Sequence, residues 1–189
     1  ELLSKRKKNN MQEVIKKVLI SEEELSKRIK ELAAEISRDY QDKEVVMLCL
    51  LKGSVSYFSR LCENITIPIV YEFLRASSYH GATSTGDVKV SYLSTEKFEG
   101  KHVIVVEDII DTGLTLSKIM KMLKEYNPAS LEITTLLDKP EGRKTSEVYP
   151  KYIGFTIPDE FVLGFGLDWN EKYRNLPYIG VLKRSVYEK

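Results

Sequence analysis

A mostly parallel α/β sheet with helices on its faces is the fold class this sequence predicts. Three observations lead there. Residues 45–51 form a continuous apolar run, as a strand buried on both faces of a parallel sheet requires. Further apolar runs at 103–106 and 131–137 are separated by a segment with helical spacing. The chain has 189 residues, 42% of them hydrophobic, which suits one domain with a sizeable core.

The elements follow in order. Ser21-Glu22-Glu23-Glu24 reads as a capping box, in which a serine hydroxyl and a glutamate satisfy the first free backbone N–H groups of a helix. Leu25, Ile29, Leu32, Ala33 and Ile36 then recur at helical spacing. The strand at 45–51 leads into a short helix from about 54 to 63, and 67–74 reads as a strand. Residues 75–87 are small, polar and glycine-containing, without a period, which predicts a long loop of the kind that serves as a lid. Residues 88–93 alternate like a strand. Leu116, Ile119, Met120 and Leu123 mark a helix, and 152–181 reads as short strands and turns. The chain is therefore expected to form a single domain over 1–189, with a core over about 40–150 and a small irregular part from its two ends, the N-terminal segment and about 151–189.

Composition excludes several function classes. Charged residues make up 30% but the formal net charge is +1, which argues against a dedicated nucleic-acid binder. The basic run Lys5-Arg6-Lys7-Lys8 reads as a solvated chain end; a targeting or nucleic-acid role has no second feature behind it. Cys49 and Cys62 sit among apolar residues and form no close pair, as expected of small buried residues in a reducing compartment. With only His80 and His102 besides, a structural zinc site is not expected. No run approaches the ~18 apolar residues of a membrane span and no signal peptide is visible, so a cytoplasmic protein with no membrane or nucleic-acid partner is expected.

The chemistry concentrates in Val105-Val106-Glu107-Asp108-Ile109-Ile110-Asp111-Thr112-Gly113. An apolar strand that runs into a turn and a helix puts the turn at the carboxyl edge of the sheet, where open α/β folds bind ligands. Backbone N–H groups opening the helix around Asp111, Thr112, Gly113 and Thr115 suit a phosphate, and the threonine hydroxyls add donors. Gly113 permits close approach of the backbone. Glu107 and Asp108 are adjacent at the strand end, so their side chains are expected on opposite sides. Carboxylates beside a polyphosphate suit ribose hydroxyls or a magnesium ion.

This string resembles the phosphoribosyl-pyrophosphate motif of type I phosphoribosyltransferases, and Asp111 within it resembles the hypoxanthine-guanine branch of that family. The resemblance implies a central mostly parallel sheet flanked by helices, with a small hood formed by the chain ends. It implies that Asp111 is the general base or acid for the purine N7 proton, and that residues Glu107, Asp108, Ile109, Ile110, Asp111, Thr112, Gly113, Leu114 and Thr115 line the ribose-phosphate site. Leu114 departs from members with a charged residue there, but the position contributes mainly backbone.

Further segments carry the same resemblance over nearly the whole chain. Leu51-Lys52-Gly53-Ser54 resembles the pyrophosphate loop, which implies a cis peptide before Lys52. Ser78-Tyr79 resembles the mobile flap, placed at about 75–88. Lys139 resembles the lysine that donates to a purine 6-oxo group; alone it reads as an exposed lysine after a strand. Glu160-Phe161-Val162 resembles the purine pocket, with Phe161 stacking on the base and the Val162 backbone reading its edge; alone, Phe161 reads as core. Asp168 resembles a magnesium ligand, with Glu107 and Asp108 as further candidates, and Arg174 resembles the arginine that contacts pyrophosphate. The resemblance implies phosphoribosyl pyrophosphate, hypoxanthine and guanine, with xanthine open, as substrates, Mg2+ as cofactor, and a homodimer or homotetramer. A phosphoribosyltransferase for another base is opposed by Asp111 and Lys139, and a nucleotide-sensing regulator by the balanced charge.

Overall fold

The computed structural model describes residues 13–78, 88–91 and 98–188. Nine strands are found among them: β1 (Ile15–Ile20), β2 (Val45–Leu51), β3 (Ile69–Ser78), β4 (Val88–Ser91), β5 (His102–Ile110), β6 (Ser130–Asp138), β7 (Tyr152–Thr156), β8 (Val162–Leu163) and β9 (Ile179–Leu182). The helices are α1 (Glu22–Asp39), α2 (Val55–Asn64), α3 (Leu114–Lys124) and the short α4 (Arg184–Tyr187).

The larger sheet has the order β4-β3-β2-β5-β6-β7, parallel throughout except for β4, which pairs antiparallel with β3 at the edge. Strand alternation explains why β2 is apolar at every position. Val45, Met47 and Cys49 enter one core with α1 and α2, whereas Val46, Leu48 and Leu50 enter another with α3. On the first face, α1 buries Leu25, Ile29, Leu32, Ala33 and Ile36, the residues whose spacing predicts it. Its start is held by the expected capping box: the Ser21 hydroxyl accepts from the Glu24 N–H at 3.2 Å, and the Glu24 carboxylate accepts from the Ser21 N–H at 2.8 Å.

Two boundaries differ from the sequence reading. Strand β3 does not end at Leu74 but runs to Ser78, because Arg75 to Ser78 find backbone partners in β4. Strand β5 does not stop at Val106 but carries its ladder with β6 through Glu107, Ile109 and Ile110. In both cases a neighbouring strand supplies hydrogen bonds that local composition does not announce.

The chain ends form a second, three-stranded sheet of order β1-β9-β8, antiparallel throughout. Leu163, Leu176 and Leu182 are its small core, packed with Trp169, Tyr173, Tyr178 and Tyr187. This is the hood the family resemblance implies, and it overhangs the carboxyl ends of the parallel strands: Gly166 lies close over Gly53, so that a Cβ there would strike the Gly53 carbonyl. No helix among the described residues is long and apolar enough to cross a membrane.

Candidate active site

Chain order reverses between β2 and β5: β3 lies on one side of β2, and β5 to β7 lie on the other. A crevice opens at the carboxyl ends of strands at such a switch point. The loop after β2 forms one lip. Its Leu51–Lys52 peptide is cis, as implied. Ser54 is fully buried and donates its hydroxyl to Glu107 Oε1 at 3.1 Å. Gly53 lies against Asp108 so closely that a Cβ would collide with the carboxylate, a close approach only glycine permits.

Glu107 and Asp108 do not diverge as ideal alternation predicts. Both line the same cavity with Gly53, Thr115, Asp168 and Arg174. The Asp108 N–H turns back to Glu107 Oε1 at 3.1 Å and Asp108 Oδ1 accepts from the Ile109 N–H at 2.7 Å, so local hydrogen bonds override the pleat. Burial holds the Glu107 carboxyl well above the usual range, and the neighbouring Asp108 charge pushes it further. Burial also raises Asp108, against the lowering effect of its hydrogen bonds to Glu107 and Ile109.

After β5 the chain turns through Asp111, Thr112 and Gly113 into α3. Gly113 caps the helix at φ 76°, a left-handed conformation that favours glycine. Asp111, Thr112, Gly113 and Thr115 line a small cavity with Glu107, Ile109, Ile110 and Leu116. The Leu114 side chain is exposed and its N–H donates to Thr112 Oγ1 at 3.4 Å, consistent with a backbone contribution at this position.

A neighbouring cavity of ≈ 240 Å³ is lined by Asp108, Ile109, Asp111, Lys139, Glu160, Phe161, Val162, Leu167 and Asp168. Lys139 is not an exposed lysine: it is 6% exposed and lies between two carboxylates, Asp111 Oδ2 at 3.1 Å and Asp159 Oδ1 at 2.8 Å. Burial presses its ammonium towards neutrality, but hydrogen bonds to Asp159 and Asp111 outweigh this and raise its pKa. Phe161 is not core either. It is 38% exposed, stacked on Tyr187 with centroids 5.3 Å apart and edge-on to Trp169 at 5.2 Å. Val162 is buried in β8, and Glu160 pairs loosely with Lys17 at 3.7 Å.

The hairpin 168–174 closes the third side. Asp168 Oδ1 meets Arg174 at 3.0 Å and Asp168 Oδ2 accepts from the Glu171 N–H at 2.8 Å. Arg174 also donates to the Gly166 carbonyl at 2.7 Å. Glu171 reaches both Lys52, at 2.7 Å, and Arg174, at 3.3 Å. Of the remaining predicted residues, Arg75 to Ser78 of the expected flap belong to β3 and Val88 opens β4, while Tyr79 and residues 80–87 lie outside the described residues.

Sequence reasoning missed Asp159, Glu171, Tyr187 and Arg143. Arg143 pairs with Asp138 and donates to the Asp111 carbonyl at 3.2 Å, bracing the turn from behind. Glu171 lies between Asp168 and Arg174, both singled out in the sequence, and that closeness is its signal; the others are ordinary surface types without one.

Among the described residues, no three His, Cys, Asp or Glu side chains form a preformed metal cage. Glu107, Asp108 and Asp168 nevertheless line one cavity with oxygen donors. Two of these carboxyls have raised pKa values, mainly through burial. A hard cation that takes its other ligands from water and phosphate fits such a donor set.

A switch-point crevice beneath a hood, with acids along β5 and a small cavity at the turn opening α3, defines one class of protein. Residues 19–170 match the phosphoribosyl transferase domain family, and the chain belongs to it. Within that class it is similar to the hypoxanthine-guanine phosphoribosyltransferases of Streptococcus pneumoniae, 49% identical over 92% of this chain and 96% of the relative, and of Bacillus subtilis, 45% identical over 94% and 99%. The hypoxanthine-guanine-xanthine phosphoribosyltransferase of Tritrichomonas foetus is 42% identical over 94% of this chain and 97% of its own. A crystal structure of a hypoxanthine phosphoribosyltransferase from Staphylococcus aureus superposes with a TM-score of 0.90 at 46% identity, covering 95% of this chain and 97% of that one.

Proposed function

We propose that the protein is a purine-salvage enzyme that moves the 5-phosphoribosyl group of phosphoribosyl pyrophosphate to N9 of hypoxanthine or guanine, giving IMP or GMP and pyrophosphate. The observation that carries this reading is the Asp111–Lys139 pair at 3.1 Å, inside a cavity bordered by Phe161. A buried cation there favours a 6-oxo acceptor over a 6-amino donor. The names of the similar proteins support the same acceptor class.

In this reading the backbone N–H groups of residues 111–115 hold the 5-phosphate, and Glu107 and Asp108 take the ribose hydroxyls. Lys52 and Arg174, with the Gly53 backbone, hold the pyrophosphate. Phe161 stacks on the base, Lys139 donates to O6, and the backbone at Val162 reads the edge beside Glu160. The C1–O bond to pyrophosphate breaks with oxocarbenium character as N9 attacks C1, as in glycoside transfer. The proton displaced from the purine passes to Asp111. Ser78 and Tyr79 belong to the flap that excludes water from this step. Magnesium, with Asp168 and the Glu107–Asp108 pair as its candidate protein ligands, would neutralise charge on the leaving group.

The protein acts as one domain spanning the chain, in the cytoplasm, as a homodimer or homotetramer. The exposed aromatic pair Tyr71 and Phe73, both packed on Phe58, supports self-association. The buried free thiols of Cys49 and Cys62, whose pKa values burial raises to about 12, suit a reducing compartment. The test is turnover of hypoxanthine, guanine, xanthine and adenine with phosphoribosyl pyrophosphate and Mg2+. Turnover of adenine alone, or of none, would sink the proposal; the xanthine rate decides whether the range is that in the Tritrichomonas foetus enzyme's name.

A further inference from the structure

Glu171 occupies an unfavourable backbone position and spends its side chain on the two cations assigned to pyrophosphate. Trp169 and Lys172 exchange backbone hydrogen bonds, each 3.1 Å, across a two-residue turn with Asn170 at φ 51° and Glu171 at φ 62°. Two positive φ angles in such a hairpin are the pattern of a type I′ turn, which favours asparagine first and glycine second. Asn170 fits. Glu171 stands where glycine would be unstrained, and strain held at a site motivates a search for its purpose.

The side chain offers one. Glu171 Oε2 lies 2.7 Å from Lys52 Nζ, although the two residues are 119 apart in the chain, and Oε1 lies 3.3 Å from Arg174 Nη2. Each carboxylate oxygen is thus matched to one cation, on either side of the crevice mouth. All three side chains stay accessible, with Glu171 66% exposed, so the carboxylate can swing away into water.

We infer that Glu171 is a positioning residue that holds Lys52 and Arg174 at the leaving-group position and competes with pyrophosphate for them. This rests on the function proposed above. The carboxylate prevents the two cations from repelling each other apart when no donor is bound. It also weakens retention of the product, because it re-forms both ion pairs as pyrophosphate leaves. Exposed ion pairs are individually weak, so a polyanion displaces them readily.

The experiment measures binding of inorganic pyrophosphate with Mg2+ by titration calorimetry on the parent, Glu171→Gln and Glu171→Gly. Glu171→Gln removes the charge at constant size, and Glu171→Gly also relieves the backbone, so at least one variant remains folded. Loss of an internal competitor at two exposed pairs should tighten pyrophosphate binding by about three- to tenfold. The gain should shrink as salt rises from ~0.05 to ~0.5 M, because screening weakens the competitor. The KM for the sugar donor should fall by a similar factor while the KM for the purine stays put. Equal or weaker pyrophosphate binding in both variants, with a parent that binds and turns over normally, overturns the competing role and leaves Glu171 as an ordinary brace. A parent that neither binds pyrophosphate nor transfers phosphoribose overturns the underlying function as well.

Discussion

Lys139 brings its Nζ to 3.1 Å from Asp111 Oδ2, joining the turn after β5 to the turn after β6. Asp159 holds the other side of the ammonium at 2.8 Å. The lysine is thereby fixed, charged and aimed beside an acid whose side chain is itself 48% exposed. Everything proposed about the acceptor base depends on this pair.

Asp111→Asn keeps the shape and removes the proton acceptor. Loss of general acid–base help should lower kcat by about 10²- to 10⁴-fold. Binding of the nucleotide product should change by no more than a few-fold. Rapid-quench turnover and nucleotide titration check both; unchanged turnover would remove Asp111 from the chemistry.

Lys139→Gln retains a donor but loses the charge. A charge-assisted hydrogen bond to a base is worth roughly 1.5–3 kcal/mol, so kcat/KM for hypoxanthine should fall by about 10- to 100-fold. Asp111 and Asp159 are left facing each other without their cation, yet both are partly solvated, so only a modest drop in Tm is expected. A kinetic comparison at saturating donor reads the effect, and an undiminished kcat/KM would count against the 6-oxo contact.

Glu107→Gln should raise stability while it lowers affinity for the sugar donor. Burial, and then the Asp108 charge, lift the Glu107 pKa above its ordinary value of 4.5. The native state therefore keeps a proton that the unfolded chain has lost, so stability falls as pH rises from about that value towards the raised native one. Glutamine removes this penalty, and the stability gap between variant and parent should widen from acid to neutral pH. Each kcal/mol relieved should appear as a Tm increase of about 2–4 °C. Thermal melts at several pH values measure it; a gap that narrows towards neutral pH would contradict the assigned burial.

Ser21→Ala tests the fold away from the crevice. It removes the hydroxyl that accepts from the Glu24 N–H at the start of α1 and keeps the backbone N–H that donates to the Glu24 carboxylate, at a cost of about 1 kcal/mol. Tm should drop by about 2–4 °C with kcat and KM unchanged. A change in kinetics would mean that α1 is coupled to the site.

Much of the site was legible because its parts are local. The acids, turn and helix start of residues 105–115 are contiguous, and their spacing alone announces a turn between a strand end and a helix. The strand β2 and the amphipathic α1 were equally plain, since burial on two faces or on one stripe imposes a composition on consecutive residues. What was misread shows the boundary of this logic. Lys139 read as a surface lysine because nothing near it in sequence reveals Asp159 arriving from beyond β7. Phe161 read as core because its exposure depends on how Tyr187 and Trp169 pack. The extra length of β3 came from a partner strand, and the convergence of Glu107 with Asp108 came from side-chain-to-backbone bonds that local alternation does not foresee.

By itself, then, the sequence determined the layered α/β architecture, the turn from β5 into α3 and the identity of the chemical groups, because periodicity and contiguous motifs are properties of neighbouring residues. The tertiary structure alone decided which groups meet: Lys52 with Glu171, and Lys139 with Asp111 and Asp159. Charges at such distances along the chain are brought together only by strand order and hood closure, and it is their spacing in ångströms, not in residues, that sets which contacts they make.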